Sequence, residues 1–288
     1  MSIKDIQLPS RCKYWMRIVN ESVALKGPQE LLAYAITVAE SYDSAPVHQP
    51  FAERYWHALK EHTTKVLFKQ LGKVIKIELS ADDPYSRPGE DIGMAIRRML
   101  YDMLANRRLK IYTGHIDHPV FSYKENVMFR TVHDYYTHAK LLRPFRDGLK
   151  KLLNNSKEPS EDELRELLPK IDLSKGGNIG HRFGLRGEMN AYLTHVNLAP
   201  PEATAALFTE IIGQVAYETV VGDFPEQKVA VLGGFDYKHV GRFKQGSYTE
   251  KRFHQILEHI KAGEVEIATY LHAMPRVNVE QTLKRVNR

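Results

Sequence analysis

Three short stretches set carboxylate, imidazole and amide groups among hydrophobic neighbours: Phe129-Arg-Thr-Val-His-Asp-Tyr-Tyr-Thr-His138, Arg186-Gly-Glu-Met-Asn-Ala-Tyr-Leu-Thr-His195 and Thr209-Glu-Ile-Ile-Gly-Gln214. On a helix, side chains four apart share a face, so Asp134 and His138 point the same way. Glu188 and His195, two turns apart, do the same on theirs. Glu210, Gln214 and Glu218 form the polar line of a third, otherwise apolar helix. Imidazole and carboxylate together ligate zinc, iron or manganese, and the candidate ligands of such a divalent metal are His133, Asp134, His138, Glu188, His195 and Glu210. His133 lies about 100° around the helix from Asp134, which suits a hydrogen bond to a ligand as well as ligation itself. An ion so held lowers the pKa of a bound water, with Glu188 or Glu210 as base and Arg130 or Arg186 facing an anionic substrate group. The chemistry expected is metal-assisted hydrolysis. The spacing is not His-Glu-x-x-His, so no zinc-peptidase mechanism transfers.

Each group also has a plainer reading. Charges four apart commonly form the solvated face of a helix, and a buried histidine commonly hydrogen-bonds within a core. A network of mutually hydrogen-bonded polar groups would equally place such residues on three apolar helices, in a protein whose surfaces make protein–protein contacts. His115, Asp117 and His118 form a further set. They read either as a loop folding over the start of the His133 helix or as a polar turn held by Asp117 and Pro119. Lys175, Arg182 and Arg186 flank the glycine-rich loop Gly176–Gly180 and could hold an anion, but no P-loop or dinucleotide fingerprint accompanies them.

The elements that must position these groups are mainly helical. Pro28 opens a helix in which Leu31, Leu32, Ala35, Ile36 and Ala39 recur at helical spacing, Ser44 to Pro50 breaks it, and a second helix runs from about Phe51 to Leu71. Residues 73–79 alternate as a half-buried strand, 90–106 carry a helical apolar stripe, and 109–113 read as another short strand. Strand, helix, strand in about 40 residues is a βαβ unit, which makes the two strands parallel neighbours. Ser122 or Asn126 caps the His133 helix, expected to end near Leu142. Residues 147–182 read as an insertion, with Ser160-Glu-Asp-Glu163 as a capping box. Helices follow from about Leu185 to Asn197 and from Pro201, the latter the most apolar of the chain. A strand at 228–232 and a helix over Thr249–Ala262 complete an α+β, mainly helical fold, its small β component packed on a helical body. The organisation expected is an N-terminal helical region (1–72), a core region with the His/Glu motifs (73–222) and a C-terminal region (223–288).

With 288 residues, 43% hydrophobic and 26% charged, the chain has the composition of a globular protein able to bury a sizeable core. No apolar run approaches a membrane span, and the N-terminus lacks the apolar core of a secretory signal. The single cysteine, Cys12, excludes an internal disulfide framework and fits a reducing cytoplasm. A net charge of +6 permits nucleic acid as a partner, but acids and bases are interspersed through most of the sequence, and the tail residues Arg276, Lys284, Arg285 and Arg288 read more simply as a solvated terminus than as a nucleic-acid contact.

The three motifs, together with Asp83-Pro-Tyr85 and His118-Pro119, resemble a group of uncharacterised proteins encoded by tailed phages and prophages. The resemblance spans roughly residues 75–217. Thr137 departs from it where glycine is expected, and Tyr192 where tryptophan is expected. It implies a phage context, hence the host cytoplasm or the virion, with other phage proteins or the chain itself as partners, and it implies no activity. The adjacent His133-Asp134 pair is also similar to the metal-binding dyad of HD-type phosphohydrolases, a match of two residues only. Two functions follow as expectations: a metal-dependent hydrolase, or a virion or assembly protein whose His/Glu cluster is a structural polar network.

Overall fold

The structure is a computed structural model, and it describes residues 24–25, 27–68, 71, 75–87, 92–114, 117–135, 160–167, 179–221 and 224–263. In chain order the helices are α1 (Pro28–Ser44), α2 (Glu53–His62), α3 (Ile92–Tyr101), α4 (123–135), α5 (Glu161–Leu167), α6 (Ile179–Leu198), α7 (Thr204–Leu207), α8 (Gln214–Val221) and α9 (Tyr248–Ala262). The strands are β1 (Lys76–Ser80) and β2 (Arg108–Tyr112). The fold is mainly helical α+β, as the periodicities require. Wider π turns, Thr63–Phe68, Asp102–Asn106 and Phe208–Gly213, follow α2, α3 and α7. The described chain divides into two compact units interleaved in sequence, one drawn from 60–117 and 121–183, the other from 24–59, 118–120 and 184–263.

In the first unit β1 and β2 pair in parallel, with Lys76 opposite Arg108 and Ser80 opposite Tyr112. The crossover is α3 with its π turn. Arg107, at φ 51°, closes that turn in the left-handed conformation and sends the chain into β2. A buried carboxylate ties turn to strand: Asp102 accepts from Asn106 Nδ2 at 2.7 Å and from an Arg108 guanidinium nitrogen at 2.8 Å. Tyr85 Oη donates to the same Asp102 at 3.2 Å and accepts the Lys110 N–H at 2.9 Å. The Asp83 carboxylate holds the preceding turn by accepting the Tyr85 and Ser86 amides. Two serines start helices through capping boxes. Ser122 exchanges hydrogen bonds with Glu125 at the head of α4, and Ser160 does so with Glu163 at the head of α5. Asn126, the other cap candidate, is instead buried inside α4.

The second unit is built on α1. The spacing predicts an amphipathic stripe, but every residue from Ala33 to Ala39 is buried, because the alanines let neighbours approach on several sides. Helices α8 and α9 both pack on it. Tyr34, Phe208, Phe235, Phe243 and Phe253 form a connected ring cluster beside it. The C-terminal carbonyls of α1 are satisfied from a distance: Lys228 Nζ donates to the carbonyls of Tyr42, Asp43 and Ala45 at 2.7, 2.9 and 2.6 Å.

Three features differ from expectation. Leu71 is helical as expected, but the helix widens from α to π turns after His62. Helix α6 begins at Ile179, ahead of Leu185, taking in the end of the expected glycine loop. Residues 228–232 form no strand. Val229 makes one parallel bridge to His48, and the neighbouring ladder positions go to side chains: Ala230 O accepts from Thr209 Oγ1 and Val231 N–H donates to Gln49 Oε1.

Candidate functional site

The motif Thr209-Glu-Ile-Ile-Gly-Gln214 falls on the π turn Phe208–Gly213 and the first residue of α8, where every side chain from Phe208 to Gln214 is buried. Each polar position has a partner within the second unit. Thr209 Oγ1 donates to Ala230 O at 2.7 Å, fixing the segment after residue 228 against the helix. Glu210 is the centre of a four-residue network. Its Oε1 accepts from Trp56 Nε1 at 2.7 Å and from His118 Nε2 at 2.9 Å, while its Oε2 accepts from Gln214 Nε2 at 2.7 Å. The His118 and Glu210 side chains are 0% and 3% exposed. Gly213 has a steric role: a Cβ there would lie 2.6 Å from a ring carbon of Tyr42 on α1, and only glycine admits that approach.

The tautomer of His118 follows from its other nitrogen. Val120 N–H donates to Nδ1 at 3.0 Å, so the ring proton is on Nε2 and points at Glu210. A His-Pro-Val sequence thus delivers a neutral imidazole to a carboxylate, with Trp56 from α2 on the same oxygen. Tyr42 stands between two charges. Burial, and next the Glu210 carboxylate, push its phenol well above the ordinary range, while Lys228 Nζ lies 5.3 Å from its ring centroid.

Chemically this arrangement leaves little to react. A carboxylate offers about four lone-pair sites, and three of Glu210's are occupied by N–H donors. Both nitrogens of His118 are committed, one as donor and one as acceptor, so neither ligates a metal without breaking a hydrogen bond. The solvated-face reading of Glu210 and Gln214 does not hold, since both are buried; Glu218 alone of that line is exposed.

The remaining candidates are distributed as follows. Arg130, His133 and Asp134 belong to the first unit, on α4. Arg130 donates to Tyr112 O at 3.1 Å and Gly114 O at 2.6 Å, tying α4 to the end of β2, and the His133 ring stacks on Phe129 one turn earlier, 6.5 Å between centroids. Glu188 and His195 belong to the second unit on α6, Glu188 half-buried and His195 2% exposed. The backbone of Arg186 is in the first half of α6. His138, Cys12, His115, the loop residue Lys175 and the basic tail residues lie outside the described residues. Among the described residues no three His, Cys, Asp or Glu side chains gather in a group that could hold a metal ion, and no helix is long and apolar enough to cross a membrane.

Sequence reasoning weighed His118 with His115 and Asp117 and did not pair it with Glu210, because the two are far apart in the chain. Trp56 was missed altogether. Its signal was available: an indole on an apolar helix face needs an acceptor for its N–H once buried. Compared with protein-family models, with curated proteins and with solved structures, the chain matches none.

Proposed function

We propose that the chain is a phage-type assembly protein, a structural or interaction component that associates with other phage proteins or with itself, in which the His/Glu cluster is an internal polar network. The observation that carries this reading is the engagement of Glu210 by three N–H donors from Trp56, His118 and Gln214. A hydrolytic centre needs lone pairs turned towards metal, water or substrate. Several motif residues turn their polar groups towards the chain itself. Asp83 and Tyr85 hold a turn against a strand, Arg130 binds two backbone carbonyls, and Thr209 binds a third. Such residues set the shape of a scaffold on which surfaces are presented. The phage setting, and with it the host cytoplasm or the virion as location, rests on the motif resemblance.

The competing outcome is a metal-dependent hydrolase with zinc, iron or manganese on some of His133, Asp134, His138, Glu188, His195 and Glu210. Elemental analysis of the untagged protein, after incubation with divalent ions and desalting, separates the two when run beside His138→Ala and Glu188→Ala and paired with light scattering. The assembly reading expects substoichiometric metal, unchanged in the variants, and a defined oligomer. Near-stoichiometric metal lost in both variants would overturn it.

A further inference from the structure

The second unit carries a basic surface that its own packing does not explain. Phe235 and Phe243 form an antiparallel bridge, and the Phe243 ring turns inward against Tyr34, Phe235 and Phe253. Extended residues on either side of an inward one point outward, which sends Arg242 and Lys244 to solvent, where both are exposed. Lys244 N–H donates to Gly234 O and Ser247 N–H to Lys244 O, a tight turn that brings Ser247, the residue before Tyr248 at the start of α9, back to Lys244. Tyr248 is 81% exposed. Lys251, three residues on, shares its helix face, and exposed Lys238 follows Tyr237, whose ring centroid is 5.7 Å from Lys244 Nζ.

The acids of this segment are occupied locally. Asp236 accepts the Lys238 amide and pairs with His239 Nδ1 at 2.8 Å, and Glu250 accepts the Gly246 amide while Ser247 Oγ accepts its own. Among the described residues, Lys238, Arg242, Lys244 and Lys251 form no ion pair. Four exposed cations within residues 238–251, the segment that also presents a nearly fully exposed tyrosine, match the two needs of an unpaired polynucleotide: charge for the phosphates and a flat face for a base. A duplex keeps its base faces stacked inside, which leaves the ring without a stacking partner there; an anionic lipid surface would also take up the ring, and vesicle competition separates that source of negative charge from a polynucleotide.

We infer that this surface binds single-stranded nucleic acid, with Lys238, Arg242, Lys244 and Lys251 on phosphates and Tyr248 stacked on a base. The site stands apart from the Glu210 network and does not depend on its role. The test is fluorescence anisotropy of a labelled oligothymidylate with the full chain, from about 50 to 200 mM salt. Four phosphate contacts give a slope of log affinity against log salt of about −3. Arg242→Ala/Lys244→Ala makes that slope shallower by roughly 1.4. Tyr248→Ala weakens binding by about fivefold or more at unchanged slope. Replacing Arg276, Lys284, Arg285 and Arg288 by alanine leaves both effects in place. Circular dichroism of each variant confirms that these exposed substitutions preserve the fold. The assignment is overturned by absence of binding at about 50 mM salt, by affinity and slope indifferent to both loop variants, or by anionic vesicles competing fully while Tyr248→Ala has no effect.

Discussion

At the scale of single residues, the arrangement around Glu210 shows how a charge survives in a core. Its side chain is 3% exposed, and burying a carboxylate is tolerated only when donors replace the water it loses. Here the donors are an indole, a neutral imidazole and an amide. Glu210→Gln keeps the shape and inverts part of this pattern, because an amide presents N–H groups where one of the carboxylate oxygens accepted. Either a donor then faces a donor, or the Gln214 amide turns over and gives up its Nε2 contact with Gln227. The cost expected is about 2–3 kcal/mol, the scale of an unsatisfied buried polar group. In a chain of this size that lowers the melting temperature by roughly 5–10 °C. Chelator distinguishes a network from a metal centre in the same experiment. If the residue works by hydrogen bonding, EDTA leaves the wild-type melting curve where it is. A chelator-treated wild type that melts with the variant would assign the stabilisation to a bound ion instead.

Elements explain why the site sits where it does, and how much of it was legible in the sequence. The βαβ unit could be read because alternation and helical stripe are local patterns, and the structure pairs Lys76–Ser80 with Arg108–Tyr112 in parallel as expected. The Ser160 capping box could be read for the same reason, whereas at α4 the sequence offered Ser122 and Asn126 as alternative caps and only the structure chooses Ser122. Contacts between distant segments could not. Nothing local says that Lys228 will cap α1 with three hydrogen bonds, or that His118 will meet Glu210, since such pairs are chosen by packing. The apolar helix after Pro201 was legible as an element, but its π turn was not, because no residue type encodes i+5 bonding. Gly213 sits at the end of that turn and fixes its distance from α1. Gly213→Ala would drive a methyl group to 2.6 Å from the Tyr42 ring, which is held by its own bond from Oη to Glu226 O. The helices must separate or the ring must move. A loss of about 1–3 kcal/mol in chemical denaturation is expected, the range for overpacking. Pairing the substitution with Tyr42→Leu should recover part of it; an undiminished loss in the double variant would place the strain elsewhere.

For the molecule as a whole, acid sensitivity should come from carboxylates that both units hold ionised. Burial raises Asp83, Glu125 and Asp236, but backbone amides and side-chain donors, Lys60 in the case of Glu125, outweigh it and leave each below its ordinary range. A carboxyl whose folded pKa is depressed binds protons more readily once unfolded. Its contribution is therefore complete above the unfolded pKa, roughly 4 to 4.5, and is lost as pH falls through the lower folded value. Glu125 is the clearest test, because the Ser122 amide and Lys60, 2.9 Å away, both favour its anion at the head of α4. Glu125→Gln keeps an acceptor for the Ser122 amide but loses the charge. It should lower stability by about 1 kcal/mol near neutral pH, the size of a helix cap. As pH falls through the depressed folded value the wild type becomes protonated at this position and loses the same advantage, so the two denaturation curves should converge below it. Curves separated by a constant gap from pH 7 to pH 3 would show that shape, and not ionisation, sets the contribution of Glu125.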